Sequence, residues 1–130
     1  MVLDTSAIFA AIAKEAGCVH FQDAMLAATS LTISAVTVLE TRIVLQSRLG
    51  EEAVREFDSM LENAGIVVVP FDAAMAEVAF EAFRRYGKGR GHPAQLNIID
   101  CAAYALAKLQ GESLLFKGND FARTDIQQAL

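Results

Sequence analysis

Four acids, Asp4, Glu40, Asp100 and Asp120, stand where an α/β fold can bring them to one point. Asp4 ends the apolar run that starts at Met1, and two hydroxyls follow it, Thr5 and Ser6. Glu40 has Val36, Leu39, Ile43 and Val44 at helical spacing, and Asp100 has Leu96, Ile99, Ala103 and Tyr104, so each carboxylate falls on an apolar stripe. An acid facing a core is costly unless it is paired or bound to a cation. Taken singly, each has an ordinary explanation: Asp-Thr-Ser makes a good helix cap, and an acid in a first helical turn gains about 0.3–1 kcal/mol from the helix dipole. Four carboxylates in one pocket are different, because bare anions raise one another's pKa and a divalent cation removes the repulsion. An oxygen-only set, without paired histidines or a thiolate cluster, favours Mg²⁺ or Mn²⁺ over Zn²⁺. The chemistry to expect is hydrolysis at phosphorus, by a metal-activated water beside a metal-held phosphate oxygen. Thr5, Ser6, Asn97 and Asn119 are candidates to orient the acids or their waters.

The elements that must position these acids alternate between strand and helix. A short strand ends at Asp4, and helices follow over Ser6–Lys14 and Val19–Ala28. Leu31–Ser34 is a second strand, and Ser34 caps a helix running to about Leu49, where Gly50 stops it. Glu51–Asn63 is amphipathic, with Val54, Phe57, Met60 and Leu61 on one side. The β-branched run Ile66–Val69 suits a strand buried on both faces and is ended by Pro70. Asp72 caps a helix over Ala73–Tyr86, whose inner face is Met75, Val78, Ala79 and Phe83. A glycine-rich loop, Gly87–Pro93, leads to a helix from about Asn97 to Leu109, and Ser113–Phe116 is the last strand. The alternation implies a single three-layer α/β/α domain over residues 1–130, with a short, mostly parallel central sheet. Strand order cannot be read from this pattern, but sites in such sheets form beyond the carboxyl ends of the strands, where these acids lie.

At 130 residues and 54% hydrophobic, the chain can fill a core without disulfides, and Cys18 and Cys101 lack metal-site spacing. The longest uncharged run, Ala24–Leu39, is interrupted by five hydroxyl residues and falls short of a membrane span of about 20 apolar residues. Asp4 comes too early for a secretory signal, so a cytoplasmic location is expected. The net charge of −5 hides a local basic stretch, RRYGKGRGH, from Arg84 to His92.

The motifs MVLDTSAI at the start, TVLET around Glu40, RYGKGRGHPAQLNIIDCAAYALA through Asp100 and LLFKGNDFARTDI at the end resemble those of PIN-domain ribonucleases. The resemblance covers essentially the whole chain and is strongest to the VapC toxins of bacterial type II toxin–antitoxin modules. It implies that Asp4, Glu40, Asp100 and Asp120 form a Mg²⁺ or Mn²⁺ site for endonucleolytic cleavage of RNA, supported by Thr5 or Ser6. Asp125, five residues further on, competes with Asp120 as the fourth acid. A VapB-type antitoxin is implied as partner, along with homodimers and larger complexes containing both proteins.

In that setting Arg84, Arg85, Lys88 and Arg90, just before the Asp100 helix, are candidates to grip the RNA backbone, as is Lys117 beside Asp120. Lys117 could equally pair with an acid. His92 reads as a surface-loop residue, since a metal-activated water already supplies the nucleophile. Phe9, Phe21, Phe57, Phe71, Phe80, Phe83 and Phe116 read as core or interface, and the early alanine-rich helices as core or a partner surface. A haloacid-dehalogenase-type phosphatase would need a second Asp where Ser6 stands. A receiver-like phosphoacceptor domain would need an acid where Pro70 and Phe71 stand and leaves Glu40 and Asp100 unexplained. A catalytically idle PIN-fold module that only binds a partner protein is the remaining alternative.

Overall fold

Two apolar dipeptides and two three-residue segments are enough to build the sheet: β1 (Val2–Leu3), β2 (Thr32–Ser34), β3 (Val67–Val69) and β4 (Leu114–Leu115). The computed structural model describes all of residues 1–130. All pairings are parallel, in the order β3-β2-β1-β4, with Val2 opposite Thr32 and Leu114, and Leu3 opposite Leu115. The helices are α1 (Thr5–Ile12), α2 (Cys18–Ala27), α3 (Ala35–Arg48), α4 (Glu51–Asn63), α5 (Ala73–Tyr86) and α6 (Ile98–Gln110). Successive side chains of a strand point to opposite faces. Accordingly, Val2 and Leu114 join the core with α5 and α6, while Leu3, Ile33 and Leu115 join the core with α1 to α4. This is the three-layer α/β arrangement that the alternation of elements implies.

Phe57 of α4 is fully buried in the second core, together with Leu3, Ile33 and Leu45. Gly111 ends α6 in the left-handed conformation, φ 64°, which suits glycine at a helix stop. Gly87 is required for a different reason, since a Cβ there would collide with the ring and carbonyl oxygen of Phe83.

Several expectations change. β3 is an edge strand, flanked by β2 alone, rather than one buried on both faces, and Val67 and Val68 are 58% and 43% exposed. Ser34 occupies the cap position of α3, yet its hydroxyl is buried and bonds nothing. The buried face of α3 is Thr37, Val38, Thr41 and Leu45, so Glu40 lies at its border, beside exposed Leu39 and Ile43. The inner face of α5 is Met75, Ala79, Ala82 and Tyr86, which leaves Phe80 and Phe83 exposed. With Phe71 and Ile98 these two rings line an apolar groove. Of the two readings open for α1, the core one holds, because Ala7, Ile8, Ala10, Ala11 and Ile12 are all buried. No helix is long and apolar enough to cross a membrane.

Candidate active site

The sheet order turns at β1: the chain first moves to β2 on one side and later returns to β4 on the other. Connections on either side of such a strand diverge, and a crevice opens beyond its carboxyl end. Asp4 is the first residue past β1, and its backbone N–H donates to Leu115 O of β4 at 3.0 Å.

Asp4 is 3% exposed and serves α1 as its N-cap. One carboxylate oxygen, Oδ2, accepts from the Ser6 N–H at 2.9 Å and from Ser6 Oγ at 2.5 Å. The other, Oδ1, is buried and has no hydrogen-bond partner. Capping therefore falls to Asp4 itself and not to Thr5 or Ser6, and it uses only half of the carboxylate. Ser6 Oγ also accepts from the Lys117 N–H at 2.9 Å, which fastens the loop after β4 to the end of β1.

Thr5 reaches α3 instead. Its Oγ1 lies 3.1 Å from Thr41 Oγ1, and Thr41 Oγ1 donates to Thr37 O at 2.7 Å. A hydroxyl carries one proton, so Thr5 is the donor to Thr41. This buried link joins the residue after Asp4 to the residue after Glu40.

Asp100 and Asn97 lock the start of α6 reciprocally. Asp100 Oδ2 accepts from the Asn97 N–H at 2.9 Å, and Asn97 Oδ1 accepts from the Asp100 N–H at 2.8 Å. Asp4, Glu40 and Asp100 line one cleft, together with Thr5, Ser6 and Lys117. Its remaining wall is Phe9, Glu15, Val44 and Arg48.

Asp120 is exposed at the start of the 3₁₀ turn Phe121–Arg123, outside that wall, yet near enough for its charge to act on Asp100. Asp125 is engaged elsewhere. It accepts from Tyr104 Oη at 2.5 Å and Lys108 Nζ at 3.0 Å, with Arg85 at 3.8 Å. The Tyr104 bond leads these contacts in holding its pKa down to about 2.

Burial pushes the Asp4 carboxyl above its ordinary range, against the bonds from Ser6, and the Glu40 charge adds to the rise. Burial likewise pushes Asp100 up to about 7, against the Asn97 bond, with Asp4, Glu40 and Asp120 all raising it further. Both acids thus hold protons in the folded chain at a pH where the unfolded chain has released them. For Asp100 the window runs from about pH 4 to 7, and across it stability falls as pH rises. In thermal melts without metal, the midpoint is expected to drop over that window, and to drop less in Asp100→Asn. Equal slopes for the two proteins would contradict this.

Two features fit a hard divalent ion: the all-oxygen donor set, and the buried Asp4 Oδ1, which lacks any protein partner. No three acids are drawn together as closely as a completed metal shell.

The basic residues divide. Arg84 pairs with Glu81 at 3.0 Å, and Arg85 belongs to the Asp125 cluster, so both are tied into ion pairs on or beside α5. Lys88 and Arg90 are exposed and pair with no acid. Lys117 Nζ pairs with Glu15, an acid outside the expected four. Asn119 is exposed and its side chain makes no hydrogen bond. His92 accepts from the Ala94 N–H at 3.0 Å and packs edge-on against Tyr86, a structural role. Sequence reasoning missed Glu15, Thr41 and Arg48. Arg48 had a signal in its spacing from Glu40 along one ridge of α3, whereas Thr41, next to Glu40 on a different face, and Glu15, in a loop, had none.

The PIN domain family model matches residues 1–127. The chain belongs to the PIN-domain family. Within it, the chain is 46% identical over 126 residues to Ribonuclease VapC of Mycolicibacterium smegmatis, spanning 97% of each protein. It is a ribonuclease of the VapC type. Among solved structures, VapC20 of Mycobacterium tuberculosis, a Sarcin-Ricin loop cleaving toxin, superposes with a TM-score of 0.78 at 19% identity, covering 96% of this chain and 95% of that one. A toxin–antitoxin complex from Klebsiella pneumoniae gives a TM-score of 0.71 at 17% identity, covering 95% and 92%. At these identities both likenesses speak for the fold.

Proposed function

We propose that this protein is a Mg²⁺- or Mn²⁺-dependent endoribonuclease and the toxin of a VapBC-type pair, its residues 1–130 acting as one PIN domain. The observation that carries the reading is the buried, unpartnered Asp4 Oδ1 in a cleft shared with Glu40 and Asp100. These three acids would hold the ion, with Asp120 at the rim as the fourth. When bound, the ion supplies a water of lowered pKa and positive charge beside the phosphate. Ser6 keeps Asp4 oriented, and Asn97 does the same for Asp100. The Thr5–Thr41 link sets the spacing of Asp4 and Glu40.

A VapB-type antitoxin is the protein partner in this reading, with homodimers and larger mixed complexes, in the cytoplasm. The exposed groove of Phe71, Phe80, Phe83 and Ile98 supports a protein partner, since contiguous apolar surface of this kind marks interaction sites.

Purified chain freed of any antitoxin is expected to cleave structured RNA with Mg²⁺ or Mn²⁺ and to stop on addition of EDTA. Tight antitoxin binding without cleavage under any divalent metal would favour the idle module.

Lys88 and Arg90 are the members of the basic stretch free to meet RNA. Their joint replacement by Ala is expected to weaken RNA binding and to flatten its dependence on log salt by about 0.7 for each phosphate no longer neutralised. A salt slope equal to wild type would exclude such a role for the pair.

A further inference from the structure

We infer that Arg48, seated over the Phe9 ring in the wall of the acidic cleft, grips an RNA phosphate next to the one that is cut. The inference rests on the ribonuclease reading above. Of the arginines, Arg42, Arg55, Arg84 and Arg85 are held in ion pairs, and Arg123 donates to Pro93 O. Arg48 and Arg90 are left without an oxygen to bond. Only Arg48 lines the cleft that holds Asp4, Glu40 and Asp100.

Two carboxylates in the same wall have not captured it. Glu15 pairs with Lys117, and Glu40, two turns earlier on α3, makes no ion pair at all. The sequence order Glu40, Val44, Arg48 forms one ridge of α3, so the Arg48 backbone stands about 12 Å along the axis from that of Glu40. Side chains lean toward the N-terminus of their helix, so the guanidinium reaches back along this ridge and shortens that gap to about one phosphate step from the acids. Its carbon lies 5.4 Å from the centre of the Phe9 ring. An arginine stacked in this way is held in place with its planar fork of donors still open, the geometry that suits a phosphate. The need for such a cation is electrostatic. A polyanion entering a cleft walled by carboxylates is repelled unless fixed positive charge offsets them, and Lys117 is already committed to Glu15.

A purely structural role has its own signature. Arg48 is in the last turn of α3, where a cation favours the helix dipole, and losing only that would lower the melting point and leave RNA affinity alone.

The test compares wild type with Arg48→Ala, Arg48→Lys and Phe9→Leu. Cleavage kinetics in Mn²⁺ read KM and kcat, and fluorescence anisotropy of a labelled single-stranded RNA in EDTA reads binding alone. Arg48→Ala is expected to raise KM by about 10-fold or more with kcat nearly kept, and to reduce the salt slope by about 0.7. Arg48→Lys keeps the charge and should restore the slope while recovering only part of KM. Phe9→Leu should raise KM with the slope intact. Wild-type KM and slope in Arg48→Ala, or a change confined to its melting temperature, would overturn the inference while the ribonuclease reading stands. A wild type that binds RNA but never cleaves it would overturn that reading instead, and the anisotropy slopes would still decide on Arg48. Wild type that neither binds nor cleaves would overturn both.

Discussion

Asp4→Asn and Asp100→Asn are each expected to cut RNA at least about 10³-fold more slowly than wild type while remaining folded. The amide is nearly the shape of the carboxylate, so the structural bonds survive. In Asp4→Asn, the amide oxygen still accepts from the Ser6 N–H and Oγ, and in Asp100→Asn it still accepts from the Asn97 N–H. What disappears is the capacity to ionise, and with it one negative charge wherever the acid has lost its proton, from a group of carboxylates that raise one another's pKa. Without metal, that loss should leave the melting temperature unchanged or raise it, because repulsion falls. Cleavage kinetics and thermal melts on the same preparations separate the two effects. Undiminished cleavage by both variants would remove these acids from the mechanism.

The second large effect concerns the scaffold. Phe57→Ala is expected to destabilise the fold by about 3–5 kcal/mol, measured by urea unfolding. Phe57 is fully buried in the core that also holds Leu3, Ile33 and Leu45, and α4 packs against α3 and α1. Leu45 belongs to α3, the helix that carries Glu40, so loosening this packing should also lower activity at temperatures where the chain remains folded. A loss below about 1 kcal/mol would mean that α4 closes over the cavity, contrary to close packing in this layer.

Much of this architecture was legible in residue patterns. Alternation of strand and helix gave the three layers, and Asp72, Gly50 and Gly111 marked helix ends that the structure keeps. The convergence of Asp4, Glu40 and Asp100 followed from strand ends and helix starts. The placement of Val67 and Val68 did not, because a β-branched run has the same composition at an edge as in the middle of a sheet. Phe83 misled for a related reason. Helical spacing identifies an apolar stripe, but α5 carries two, and only packing against α6 decides which one is buried.

The pairing of charges was the least legible layer. Nothing in the spacing of Arg85, Lys108 and Asp125 announces their cluster, which the tail forms only after it folds back onto α5 and α6. The same holds for Lys117 and Glu15, separated by 102 positions. These pairings show which members of the basic stretch already face an acid, as Arg84 and Arg85 do, and a charge count along the chain does not. For Asp4, the choice between cap and ligand was a false one. One oxygen caps α1 and the other is buried without a partner, an asymmetry that only atomic positions reveal.

The most direct test of the central claim is the binding of Mn²⁺ to the antitoxin-free protein, followed by calorimetry at about pH 6.5 in buffers of different ionisation enthalpy. Wild type should bind the ion and release protons, because Asp100, raised to about 7, must give up its proton to become a ligand. Asp4→Asn and Asp100→Asn should bind at least about 10-fold more weakly. Unchanged affinity in both variants, with no proton release from wild type, would contradict a metal site built on these acids.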